Sequence, residues 1–122
     1  MTIQQCQKKS HENSLAHGFW TNDNIPEKLM LIVSELGEAC EALRSIKPIT
    51  LPADQMAQLE DLGDRFDGAF KMTLKDTLGD ELSDSVIRVA DLAEYLGIDL
   101  ETHVRLKMRY NEGREFRHGK KF

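Results

Sequence analysis

Apolar residues recur along most of the chain at spacings of three and four, the period of an amphipathic helix. No stretch alternates between apolar and polar as a half-buried strand would. Five helices follow from this pattern. The first is predicted over about Thr2 to Ala16, ending near Gly18. His17 to Asn24 then reads as a loop carrying Phe19 and Trp20. The second helix starts near Asn24, which caps it, with Pro26 in the first turn and Glu27 at the capping-box position. It runs to about Ser45, and Pro48 and Pro52 then break the chain. A third, weaker helix is predicted over about Ala53 to Lys71, with Leu59, Leu62, Phe66 and Phe70 on one side. The fourth, about Lys75 to Leu96, ends at Gly97, a residue suited to the position just past a helix. Asp99 caps a fifth that continues to about Glu112, and the basic tail from Arg114 to Phe122 is expected to be irregular. The fold class expected is all-α, a helical bundle of about five helices in a single domain, 1–122.

The helical phase also sorts the acids. Leu29, Ile32, Val33, Leu36, Cys40 and Leu43 form the expected core stripe of the second helix, and Leu78, Leu82, Val89, Leu92 and Leu96 that of the fourth. Glu35 and Glu38 lie off the first stripe, beside Leu31 and Ala42. Four residues on from them stand Ala39 and Ala42, where a solvated face would offer lysines. Glu81 and Asp84 edge the stripe of the fourth helix, followed by Arg88 and Asp91. Residues three apart face the same way on a helix. If the two helices pack side by side, Glu35, Glu38, Glu81 and Asp84 converge. Such carboxylates repel one another and take up protons unless a cation neutralises them. An oxygen-only donor set suits Mg²⁺, with Mn²⁺ as an alternative, better than zinc. The same spacing also fits plain surface acids on two amphipathic helices. Glu41 and Glu94 are read that way, and Asp84 with Arg88 is equally a simple i,i+4 ion pair.

On the fifth helix, Leu100 and Val104 begin an apolar face that Lys107, Asn111 and Arg114 continue. A stripe that starts apolar and turns cationic can pack at one end and reach an anion at the other. Cations at the C-terminal end of a helix also favour the helix dipole without any ligand. Trp20, with His17 and Phe19, can stack a nucleobase or can cap the core between the first two helices.

Composition narrows the classes. A chain of 122 residues fits one domain. The net charge of -5 argues against a general binder of nucleic-acid backbones. Cys6 and Cys40 form no CxxC pair, so a disulfide framework is not expected and a reducing cytoplasm is the simplest setting. Cys40 is read as a small core residue. No apolar run approaches the roughly 20 residues of a membrane span, and the polar Met1 to Gln7 is unlike a signal peptide. Glu115 to His118 is the only ExxH, which disfavours a ferritin-like di-iron centre.

Three stretches together resemble the MazG-like, all-alpha nucleoside triphosphate pyrophosphohydrolases: Ser34-Glu-Leu-Gly-Glu-Ala-Cys-Glu-Ala-Leu-Arg44, then Gly79-Asp-Glu-Leu-Ser-Asp-Ser-Val-Ile-Arg88, then Lys107-Met-Arg-Tyr-Asn111 with the His118-Gly-Lys-Lys-Phe122 tail. The family pattern is EExxE on one helix and ExxD on a later one. The resemblance implies metal ligation by Glu35, Glu38, Glu81 and Asp84. It implies catalytic roles for Glu35, Glu38 and Lys107, and phosphate or substrate contacts from Lys107, Asn111 and Arg114. His17 and Trp20 sit where relatives keep base-contacting residues. The implied reaction is Mg²⁺-dependent hydrolysis of a nucleoside triphosphate to monophosphate and pyrophosphate. The implied assembly is a homodimer or a dimer of dimers that completes the bundle. Phosphoribosyl-ATP pyrophosphohydrolase is an alternative within the same chemistry, and a non-enzymatic helical interaction module is one outside it. The sequence departs from the pattern at Ser34, which holds the first acidic position of EExxE, and in the extra segment from Pro48 to Met72.

Overall fold

Local signals set the helix ends in the computed structural model, which describes residues 1–122 except for the side chain of His118; that member of the basic tail lies outside the described residues. Thr2 caps α1 (Ile3–Ala16) in a full capping box with Gln5. Asn24 caps α2 (Ile25–Arg44), its side chain accepting the Glu27 N–H, with Pro26 in the first turn. Four more helices follow: α3 (Ala53–Glu60), α4 (Phe66–Thr73), α5 (Leu78–Tyr95) and α6 (Leu100–Glu112). Asp99 caps α6 by accepting the Thr102 N–H. The described residues contain no strand, so the fold is all-helical as the periodicity predicts.

The expected third helix is two helices. Gly63 takes φ +59° between them, a left-handed conformation that stops helical propagation and that glycine adopts without steric cost. A short 3-10 turn, Gly63–Arg65, then leads into α4. The end of α5 is as expected. Gly97, at φ +68°, lets the Gly97 N–H reach Glu94 and the Ile98 N–H reach Ala93, closing the last turn. The tail carries one further 3-10 turn, Phe116–Gly119.

The chain forms two compact units. One joins Met1–Asn22 to Val89–Phe122. Within it the buried Gln7 amide donates to the Ile98 carbonyl (2.7 Å) and accepts the Leu100 N–H (3.1 Å), so one side chain satisfies the turn between α5 and α6. Ala90, Leu92 and Ala93 are buried there, and so are Ser10 and Ser14 of α1.

The other unit is Asp23–Arg88, which holds α2, α3, α4 and the first part of α5. Here the packing differs from the expected stripe. The buried positions of α2 are Glu35 and Ala39, with Ile32 and Ala42 half-buried. Leu29, Val33, Leu36 and Leu43 are exposed, as is Cys40, which is therefore not a core residue. Glu35 and Ala39 are four apart and stack on one face, and drawing that face inward turns Leu36 about 100° away. On α5, Leu92 is buried and Leu78 half-buried, whereas Leu82, Val89 and Leu96 stay exposed. No described helix is long and apolar enough to cross a membrane.

Candidate metal centre

Within the unit Asp23–Arg88, the middle of α2 and the first turns of α5 bring acids together. Glu35, Glu38 and Glu81 each offer an oxygen such that all three lie within 4.8 Å of one another. Glu35 and Glu81 are each only 6% exposed, and Glu38 is exposed. The Oε2 atom of Glu81 is buried and has no hydrogen-bond partner among the described residues. Burial, first, and then the nearby Glu38 carboxylate push the Glu81 carboxyl up to about 7, with Asp80 and Asp84 adding to the shift. Arg88 of α5 donates from Nε to Oε1 of Glu35, which gives the second buried carboxylate a cationic neighbour. Arg88 thus pairs across to α2 rather than along its own helix to Asp84.

Asp84 is outside the trio. It is largely exposed, and partial desolvation of its carboxyl, followed by the charges of Asp80 and Glu35, raises its pKa against the opposing pull of Arg88. A second group takes its place beside Glu81: Asp76, Asp80 and Glu81 also offer oxygens within 4.8 Å of one another. Asp80 accepts the Asp76 N–H at 2.8 Å. Asp76 is paired with Lys75 at 2.9 Å and Lys47 at 3.5 Å, and the Lys75 ammonium holds its carboxyl below the usual range. Asp76 and Asp80 are not among the residues expected from the sequence, where the helix is predicted to begin at about Lys75 instead of Leu78. The signal was present as Thr77-Leu-Gly-Asp80, an S/T-x-x-D cap pattern. Thr77 is fully buried, and its hydroxyl accepts the Asp80 N–H at 3.3 Å.

The donor chemistry fits a hard divalent cation. It is all carboxylate, it spans both burial extremes, and one buried oxygen lacks any partner. A cation there would be held by Glu35, Glu38 and Glu81, and it would offset the mutual repulsion that raises Glu81.

The remaining expected site residues belong to the other unit. Lys107 lies with its ammonium 4.9 Å from the centroid of the Tyr110 ring, and the Arg114 guanidinium is 5.6 Å from the same ring. Asn111 is half-buried. Lys107 also lines a cavity of about 380 Å³ with His103, Val104 and Met108. His17 is exposed, its Nδ1 within 2.9 Å of the Asn13 carbonyl of its own helix. Trp20 stacks on Tyr95, ring centroids 4.1 Å apart, and donates its indole N–H to Asp91 at 3.0 Å. His11 meets the same carboxylate at 2.7 Å. Trp20 therefore packs against His11 of α1 and against Asp91 and Tyr95 of α5.

Comparison with protein-family models, with curated proteins and with solved structures gives no match for this chain.

Proposed function

We propose that the protein is a Mg²⁺-dependent hydrolase of the MazG-like kind, converting a ribo- or deoxyribonucleoside triphosphate to the monophosphate and pyrophosphate. One observation carries this reading: the buried, unpartnered Oε2 of Glu81 stands in a trio of carboxylates from two helices. A buried carboxylate oxygen without a partner is costly, and a cation held between Glu35, Glu38 and Glu81 would offset both that cost and the mutual repulsion of the acids.

In this reading water attacks the α-phosphorus in line. The new bond is P–O from water, and the bond that breaks joins the α-phosphorus to the bridging oxygen, which leaves with pyrophosphate. Divalent cations supply charge neutralisation on the phosphates and ease deprotonation of the water. Glu35 and Glu81 are the buried anchors. Glu38 is the exposed member, the one that solvent reaches, and it orients or deprotonates the attacking water. The resemblance would add phosphate contacts from Lys107, Asn111 and Arg114 and base contacts from His17 and Trp20. The working form is a homodimer or a dimer of dimers in the cytoplasm. Phosphoribosyl-ATP is the alternative substrate under the same chemistry.

The test is incubation with Mg²⁺ and a panel of ribo-, deoxyribo- and oxidised nucleoside triphosphates, with products separated by chromatography. Monophosphate and pyrophosphate should form, and should vanish with EDTA or with Glu38→Gln. Full activity in the Glu38→Gln variant sinks the assignment. A panel without product directs the next assay to phosphoribosyl-ATP.

A specific pairing favours a second reading, a helical interaction module. Arg88 already neutralises Glu35, as it would in a purely structural ion pair. That reading requires no rise in melting temperature with Mg²⁺ or Mn²⁺, whereas a true site raises it by mass action.

A further inference from the structure

A cavity of about 380 Å³ opens beside the acid trio, entirely within the unit Asp23–Arg88. Glu38 and Glu81 form part of its wall, so a cation held by the trio borders it. Glu41 and Asp76 make the wall more acidic still, and Lys47 is the cation among its described lining residues. We infer that this cavity receives the phosphate chain of a metal-bound polyphosphate, and that Lys47 is its substrate-binding cation, contacting the pyrophosphate end.

Three observations converge. First, Lys47 has two partners at the cavity wall. Its Nζ donates to the Lys75 carbonyl at 2.9 Å and lies 3.5 Å from Asp76. An ammonium has three N–H donors, so one remains for a ligand. Second, the segment that carries Lys47 is tied to the start of α5, close to Glu81. The Gly79 N–H donates to the Ile49 carbonyl at 2.9 Å, and the Lys47 N–H donates to the Ser45 hydroxyl at 3.2 Å. A Cβ at Gly79 would lie 3.4 Å from that same carbonyl, which shows how closely the two segments approach. Third, the charge balance selects the ligand. Four acids around one lysine repel a free anion, but an anion already carrying a divalent cation offers positive charge to the acids and negative charge to Lys47. The cavity therefore selects polyphosphates that arrive with their metal.

This inference rests on the proposed hydrolase reading, and the two fail differently. Calorimetry would measure binding of pyrophosphate with and without Mg²⁺, and of Mg²⁺ alone, to the wild-type chain, Lys47→Met and Lys47→Arg. Steady-state kinetics on the preferred triphosphate would run in parallel. Pyrophosphate should bind only with Mg²⁺. Lys47→Met should weaken that binding, and raise KM for the triphosphate, by about tenfold or more, the loss of one charge-assisted contact. Its Mg²⁺ affinity should be unchanged, and Lys47→Arg should restore most of the pyrophosphate binding. Pyrophosphate affinity and KM in Lys47→Met equal to wild type would overturn the role of Lys47 while leaving the hydrolase reading intact. A wild-type chain that binds no divalent ion and cleaves no triphosphate would overturn both.

Discussion

Arg88 of α5 donates its Nε–H to the Glu35 carboxylate of α2, joining a half-exposed guanidinium to a carboxylate whose side chain is only 7% exposed. The pair gives the buried Glu35 carboxylate a hydrogen-bonding, cationic partner. Arg88→Met should leave that carboxylate buried and unpaired. Because Arg88 keeps 35% of its side chain in solvent, part of the pairing is screened, and a loss of about 2 kcal/mol is expected, less than for a fully buried pair. Urea denaturation checks this. Mg²⁺ should return part of the lost stability, since a cation near Glu35 substitutes for the guanidinium.

Glu81 gives a pH dependence with a definite sign. Its folded pKa, about 7, lies above its ordinary value of 4.5. The folded chain binds that proton more tightly than the unfolded chain does, so protonation favours folding. This contribution is fully present below about pH 4.5 and is lost as pH rises through 7. Metal-free protein should lose melting temperature across that window, after the contributions of other groups are removed by comparison with Glu81→Gln. Saturating Mg²⁺ should flatten the difference at the alkaline end, because the cation replaces the proton. Identical pH profiles for the two chains would show that Glu81 is not strained.

The same crowding predicts a separation of stability from function. Glu81→Leu removes a buried carboxylate oxygen without a partner and puts apolar surface in its place. The metal-free variant should be as stable as wild type or more so, by about 1 kcal/mol, and should show no melting shift with Mg²⁺ and no hydrolysis. Thermal denaturation with and without Mg²⁺ measures both. A destabilised variant that still responds to Mg²⁺ would place the cation elsewhere.

How much of this was legible in the sequence depends on what each feature responds to. Helix ends at Thr2, Asn24, Gly97 and Asp99 are decided by side chains within a few residues, and the sequence carries that information directly. The split between α3 and α4 depends on one glycine adopting a left-handed φ, which glycine permits but does not compel. The facing of α2 is a tertiary outcome. Its richest apolar stripe, through Leu36, faces outward, and Glu35 with Ala39 faces inward. Hydrophobicity alone chooses a face turned about 100° from it. The acid spacing predicts a convergence of Glu35, Glu38, Glu81 and Asp84, and oxygens of the first three do lie within 4.8 Å of one another. Asp84 stands outside that group, and Asp76 and Asp80 gather beside Glu81 at the true start of α5, Leu78, three residues after the expected Lys75. The environment of Trp20 was not legible at all, since Asp91 and Tyr95 lie far along the chain from it.

That environment is testable with the probe it contains. Trp20 is the only tryptophan, it stacks on Tyr95, and Asp91 accepts both its N–H and a bond with His11. Trp20→Phe keeps an aromatic face for Tyr95 and removes one donor, costing about 1 kcal/mol. Asp91→Ala removes the acceptor from two side chains at once and should cost about 2 kcal/mol or more. In Asp91→Ala the Trp20 emission should also shift as its N–H loses the carboxylate. Urea titrations followed by circular dichroism give the stabilities, and fluorescence gives the local change. Equal costs for the two variants would mean that Asp91 serves Trp20 alone.

The outward face of α2 has a regular spacing. Leu29, Val33, Leu36, Cys40 and Leu43 follow one another at steps of four and three, the repeat by which helices pack side by side. Leu29, Val33, Leu36 and Leu43 are 47%, 53%, 47% and 60% exposed. A contiguous apolar face of this kind is uncommon on a free monomer and gains stability once covered. A second copy of the chain presents the same repeat, so a twofold pairing can interdigitate the two faces. Light scattering at micromolar concentration should therefore give a mass twice or four times the 13.9 kDa of the chain. Val33→Glu with Leu36→Glu should reduce it to the monomer while retaining helical circular dichroism, because both positions face outward and their replacement leaves the buried Glu35 and Ala39 untouched. A wild-type monomer at that concentration would sink the oligomer. A charged double variant of unchanged mass would leave the assembly in place and move its interface away from α2.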